Sequence, residues 1–259
     1  MTIMTLALPT ILFIITGVFI TSILSGILGM AGGMVLMGIL AWVLPVQQAM
    51  ILHAVSQFFA NGSRAVIHRK HIYTKTMPYY LSGLALMLGV FVFVSIVPDK
   101  LTVFLLLGVT PFLAFALPKD VKLDFTKPWQ AMACGMLVTG FQLTGGVSGP
   151  LLDVFFQTQA LTRHQTVATK AFTQSISHIT KFIYFGFVVS SFEHATSGLP
   201  LWLCAAVVPV AMCGTHLSKY ILERLSDKQF FKATQAALFT VGAIYIVKAA
   251  LLWLESQSS

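Results

Sequence analysis

Little of this sequence is charged: Lys, Arg, Asp and Glu make up 9% of its 259 residues, against about 25% in a soluble domain. A chain this poor in charge cannot cover a water-facing surface, which excludes an ordinary soluble protein. Acidic groups are scarcest, 8 against 16 Lys and Arg. No Lys or Arg precedes Arg64, so the first segment lacks the basic region of a cleavable signal peptide. Cysteine is rare as well. Cys134, Cys204 and Cys213 lie in apolar runs without metal-ligand spacing, and they read as small buried hydrophobes. Long polar loops are missing too; the longest, 118–128, has 11 residues, so no soluble domain is expected.

Hydrophobic residues, at 57%, fill the rest. The class is therefore a polytopic membrane protein. The formal net charge of +8 does not mark a nucleic-acid face, because the basic residues are spread through loops between apolar segments. Apolar windows predict spans at 6–28, 46–66, 77–97, 101–117, 129–144, 166–189, 198–221 and 232–254. Two shorter runs, 34–44 and 149–160, each follow a glycine cluster and are too short to cross a bilayer, which takes about 20 residues.

Basic residues orient these spans. Arg64, Arg69, Lys70 and Lys75 form one cluster; Lys119, Lys122 and Lys127 form a second; Lys219, Arg224, Lys228 and Lys232 form a third. All three are expected in the cytoplasm, with Arg163. The facing connections, 98–100 and 190–200, are poor in positive charge. Trp42, Trp129, Trp202 and Trp253 fall at span ends, where amphipathic rings settle at the interface. Residues 129 and 163 then lie on one side although a span and a short run separate them, so 129–160 is a hairpin that turns at its glycines. The same parity makes 6–44 a hairpin and puts both termini outside.

The two hairpins can be superposed in sequence. GMAGGMVL (29–36) sets beside GGVSGPLL (145–152), with Gly29 on Gly145 and Gly33 on Gly149, and three spans follow each. The halves begin on opposite sides, so the expected fold is all-α with an inverted-topology repeat. It comprises 1–118, a cytoplasmic linker 119–128, and 129–259, each half a Gly-rich broken-helix or re-entrant hairpin plus three transmembrane helices.

The stretches SGILGMAGGMVL (25–36), HRKHI (68–72), VPDKLTVFLLLGVTPFLAFAL (97–117), TGGVSGPLL (144–152) and GTHLSKYILERLSDKQFFK (214–232) resemble, in order and spacing, the sulfite exporter TauE/SafE family. The resemblance covers nearly the whole chain. It implies a permease, and an exporter, of sulfite, an organosulfonate or a related small anion, in a bacterial inner membrane.

Ionisable groups within a bilayer are costly, so they are where function is sought first. Lys170, Thr173, Gln174, Ser177, His178 and Lys181 follow one another at one- to four-residue steps and form a polar stripe on one helix face. Lys170 is the candidate cation for an anionic substrate. Lys181, nearer the outer end, reads as a residue that snorkels to the interface. A matching stripe, His53, Gln57, Asn61 and Arg64, lies in the first half, and the repeat aligns His53 with Thr169, Gln57 with Thr173 and Asn61 with Ser177. Arg64 reads as a cytoplasmic anchor. His53 has no carboxylate or cysteine at ligand spacing, so no metal is expected. Helices restarting near Gly33 and Gly149 would aim unpaired N–H groups and a positive dipole end at one centre, with Ser148 and Thr144 as added hydroxyl donors. Pro150 suits the first turn of the second short helix.

Asp153, the carboxylate of the second hairpin, has two open roles: an ion pair with Lys170, or a proton carrier. The substrate could equally be a carboxylate or sulfate. An intramembrane enzyme would need a nucleophile and base at helical spacing or a His/Asp cluster, for which the near candidate is Asp153 with a histidine, and two polar stripes argue against a passive structural subunit. The expected partners are a small anion and the lipid bilayer, with no cofactor and no nucleic acid; composition leaves a homodimer open.

Overall fold

The computed structural model describes residues 6–28, 31–116, 123–157, 160–197, 199–222 and 227–258. Among them every regular element is helical: α1 (Leu8–Leu28), α2 (Ala31–Val43), α3 (Val46–Ile67), α4 (Met77–Val94), α5 (Lys100–Ala116), α6 (Pro128–Thr144), α7 (Gly149–Val154), α8 (Arg163–Ile183), α9 (Phe192–Ala195), α10 (Leu201–Leu222) and α11 (Asp227–Gln257). A 3₁₀ turn follows α3 at Arg69–His71, and α8 continues as a π-helical turn over Tyr184–Val188. Gly29 and the basic residues Lys119, Lys122 and Arg224 lie outside the described residues.

Among the described residues, four helices are long and apolar enough to cross a bilayer: Leu8–Ile27, Met77–Val94, Leu201–Ser218 and Lys232–Gln257. Large apolar side chains cover the outside, with Phe93 92% exposed, and Trp42, Trp129, Trp202 and Trp253 are all exposed near helix ends. Lipid solvates such a surface as well as a core does, which is why Cys213 is exposed and not buried as its apolar surroundings suggested. Local signals set the helix starts. Thr162 and Gln165 close a capping box on α8, and Pro78, Pro128 and Pro150 occupy first-turn positions that need no N–H partner. The helical part of the run 149–160 is shorter than expected and stops at Val154.

Both hairpins are present. Gly17 faces Ile39 and Gly32 lies against Ser25, so α2 runs back along α1. After α6 the chain turns at 145–148 and returns through α7, and Phe125 N donates to Phe155 O at 2.9 Å, closing the hairpin at its base. α3 and α8 pack along each other. These are the two long helices richest in buried polar groups, and pairing them hides both stripes from lipid.

Packing directions can be read from close approaches. Gly83 meets Met132, Gly135 meets Tyr80 and Gly140 meets Met87, so α4 and α6 are parallel; Gly214 meets Phe19 and Gly26 meets Ser218, so α1 and α10 are parallel. In α3 and α8, His53 meets Lys181 whereas Gly62 meets Ser175, and in α5 and α11, Gly108 meets Ile246 whereas Phe112 stacks on Phe239; these two pairs are antiparallel.

Candidate functional site

α3 supplies His53 and Gln57 to the interior, α8 supplies Gln174, His178 and Lys181, and each hairpin corner supplies a glycine. Lys181 does not snorkel. It is 0% exposed, and its Nζ donates to His53 Nδ1 at 2.7 Å and to the Gly146 carbonyl at 2.9 Å. The expected snorkelling is replaced by interior contacts: the side chain reaches across to α3 and to the corner after α6. Among the described residues it is the one fully buried Lys or Arg side chain.

Hydrogen-bond roles fix the protonation pattern around it. His53 Nε2 lies 2.9 Å from the Gly33 carbonyl, which can only accept, so Nε2 carries the ring proton and Nδ1 is the acceptor for Lys181. Ser148 Oγ donates to Gln142 Oε1 at 2.9 Å, which orients the amide so that Nε2 donates to His178 Nδ1 at 2.9 Å. His178 is thereby also the neutral Nε2–H form. The two imidazoles stand 5.4 Å apart between ring centroids. Gly146 has φ +77°, a left-handed conformation open to glycine, and this turns its carbonyl onto the lysine.

Several amide and hydroxyl groups in this interior have no partner. Gln57 Nε2, Gln174 Nε2 and Thr139 Oγ1 are buried without a hydrogen bond, and Gln57 and Gln174 are 3% and 5% exposed. An unsatisfied buried donor costs about 1–3 kcal/mol. Of these, Gln57 lies against Gly33, whose carbonyl holds His53, so one unpartnered donor stands next to the His53–Lys181 pair.

The other residues singled out in the sequence sort as follows. Gly33 lies against Gln57, since a Cβ there would sit 3.3 Å from Gln57 Oε1. Ser177 Oγ is 2.9 Å from the Tyr80 hydroxyl. Thr173 donates to the Lys170 carbonyl and Asn61 to the Gln57 carbonyl, bonds within their own helices. Gly149 is buried at the start of α7. Thr144 donates to Gly140 O, and Thr169 accepts from Tyr73 N. Lys170 pairs with Asp153. Their side chains are 24% and 43% exposed, away from the buried cluster. At both corners a backbone carbonyl meets the interior side chains, Gly33 O at His53 and Gly146 O at Lys181.

Gln142 and Gly146 are not among the candidates that the sequence offers, and Lys181 is there a snorkelling residue. Lys181 did carry a signal, because it stands four and three positions beyond Ser177 and His178 on the same stripe. Gln142 and Gly146 carried none beyond their place in the glycine-rich corner.

A helical membrane protein with a buried lysine amine among hydrogen-bonding side chains at the meeting point of two hairpins is built like a transporter. The model of the TauE/SafE sulfite exporter family matches residues 13–246, and the chain belongs to that family. Membership implies a membrane transporter of sulfite or related anions. No curated protein and no solved structure matches the chain.

Proposed function

We propose that this protein moves a small oxyanion, sulfite or an organosulfonate, across a bacterial inner membrane by alternating access, with export as the physiological direction. The observation that carries the reading is Lys181, fully buried with no described carboxylate beside it. A buried cation without a counter-charge is strongly disfavoured, and an anion held against Nζ relieves that cost. Gln57, Gln174 and Thr139 supply further donors to its oxygens. Lys170 is neutralised by Asp153, so the formal charge for the substrate comes from Lys181.

The helix pairing supports an inverted repeat in this mechanism. Laying 1–118 on 129–259 matches α1 with α6, α2 with α7, α3 with α8, α4 with α10 and α5 with α11. Under that exchange the parallel pair α1–α10 becomes α6–α4, also parallel, while α3–α8 and α5–α11 map onto themselves and are antiparallel. A two-fold axis in the membrane plane requires this pattern. Rocking one half against the other around Lys181 would open the centre to each side in turn, with both termini outside.

The test is flux of labelled sulfite and sulfonates in proteoliposomes, with sulfate and a carboxylate as competitors. Lys181→Gln is expected to lower sulfite flux at least tenfold. Normal flux in that variant refutes the assigned centre, and competition by the carboxylate alone redirects the substrate class.

A further inference from the structure

The charge balance at Lys181 leads one step beyond the functional reading and rests on it. A neutral amine has two N–H donors and an ammonium three. Within the protein, Nζ makes two hydrogen bonds, to His53 Nδ1 and to the Gly146 carbonyl. The neutral amine is thus fully satisfied, and the ammonium would carry one N–H and one full charge too many.

The surrounding groups do not balance that charge. From α3 comes His53, and from α8 itself His178, both neutral by their hydrogen-bond roles. α6 contributes the uncharged Gln142. α4 contributes Tyr80, whose hydroxyl is held by Ser177, and the Tyr184 hydroxyl after α8 donates to the carbonyls of Phe91 and Ile96. Among the described residues no carboxylate pairs with Lys181; Asp153 of α7 pairs with Lys170, which lies 11 positions and about 16 Å of helix before Lys181.

We propose that Lys181 takes up one proton as the anion binds and releases it as the anion leaves, so that a monoanion and a proton cross the membrane together. The step is R–NH2 + H⁺ + A⁻ → R–NH3⁺·A⁻; one N–H bond forms, the third donor turns to the anion, and the occupied centre is neutral. Neither the empty nor the loaded carrier then carries an uncompensated charge across the low-dielectric interior. Transport of a monoanion is electroneutral, so the anion and proton gradients together set its direction. Export runs whenever the internal excess of anion outweighs the inward proton gradient, about tenfold per pH unit.

Titration calorimetry on the purified protein in lipid nanodiscs tests this, using methanesulfonate, whose own acid group stays ionised. Measured at mildly alkaline pH in two buffers of different ionisation enthalpy, binding is expected to take up close to one proton per anion. Affinity should fall by up to tenfold per pH unit as the pH rises. Lys181→Arg, with its fixed charge, is expected to bind without proton exchange. His53→Asn and His178→Gln keep a hydrogen-bonding group in place and are expected still to take up a proton. Anion binding by the wild type without proton uptake overturns the coupling and leaves the anion site standing. Proton uptake that persists in Lys181→Arg, or disappears in either histidine variant while binding survives, overturns Lys181 as the acceptor. Failure of the wild type to bind methanesulfonate, sulfite or sulfate removes the functional reading, and the coupling with it.

Discussion

The seam between α4 and α6 allows a controlled test, because one helix carries two glycines in opposite surroundings. A Cβ placed on Gly83 would lie 2.0 Å from the Met132 carbonyl oxygen and 2.9 Å from its carbon, whereas one on Gly89, in the same helix, would meet nothing within 4 Å. The contact at Gly83 is with backbone, so no side-chain rotation relieves it, and the helices must separate by about an ångström. Close approach at small residues is the main source of helix association in a membrane, and overpacking of this kind costs about 1–3 kcal/mol. Gly89→Ala should be neutral or stabilising by up to about 1 kcal/mol, since alanine is the better helix former. The assay is thermal unfolding of purified protein followed by tryptophan fluorescence. At about 2–4 °C per kcal/mol, Gly83→Ala should lower the midpoint by several degrees. Gly135→Ala, whose Cβ would sit 2.1 Å from the Tyr80 carbonyl oxygen, enters the same seam, so the double variant should lose less than the sum of the two. An unchanged midpoint for Gly83→Ala, or an equal loss for Gly89→Ala, would refute the packing argument.

Three further outcomes are expected. Gly146→Ala forces a side chain into a left-handed turn and against Met37 Sδ at 2.6 Å; it should lower the unfolding midpoint and weaken anion binding at least fivefold, both read on one preparation. Lys170→Ala and Asp153→Asn break a half-exposed pair worth at most about 1 kcal/mol and should leave the pH dependence of flux unchanged; a shifted profile in Asp153→Asn would restore that carboxylate as a proton carrier. Asp99 Oδ1 accepts from Thr102 N at 2.7 Å at the start of α5, and these Thr102 hydrogen bonds hold its carboxyl below the ordinary range. A depressed value adds stability above the ordinary carboxylate pKa and loses it as pH falls through the folded-state value. Asp99→Ala should therefore destabilise by about 0.5–2 kcal/mol near neutral pH, and the gap to wild type should close in acid unfolding curves.

Most of the architecture could be read from the sequence because lipid makes hydropathy and loop charge directly informative. The parity of the basic clusters required a hairpin at 129–160, and the Phe125–Phe155 bond closes one there. The polar stripes were legible for the same reason, since a polar helix face has to be hidden. Side-chain partners across helices were less accessible: spacing along α8 does not show that Lys181 reaches His53 and Gly146, nor which of the two open roles of Asp153 goes with its pairing to Lys170. The carbonyl that the left-handed residue Gly146 turns onto Lys181 was also hidden, because the backbone conformation of one glycine cannot be read from its place in a glycine-rich corner.

Because α1 lies along α10 and α4 along α6, each end of the polypeptide finds its neighbours in the other. During synthesis α1 can pack on α2 at once, but its other neighbour, α10, follows only some two hundred residues later on the chain. Insertion must therefore precede completion of the fold, with the first hairpin in lipid before its partner arrives. Cutting the chain at the connection after α5 would yield two pieces that gain their shape only in each other's company.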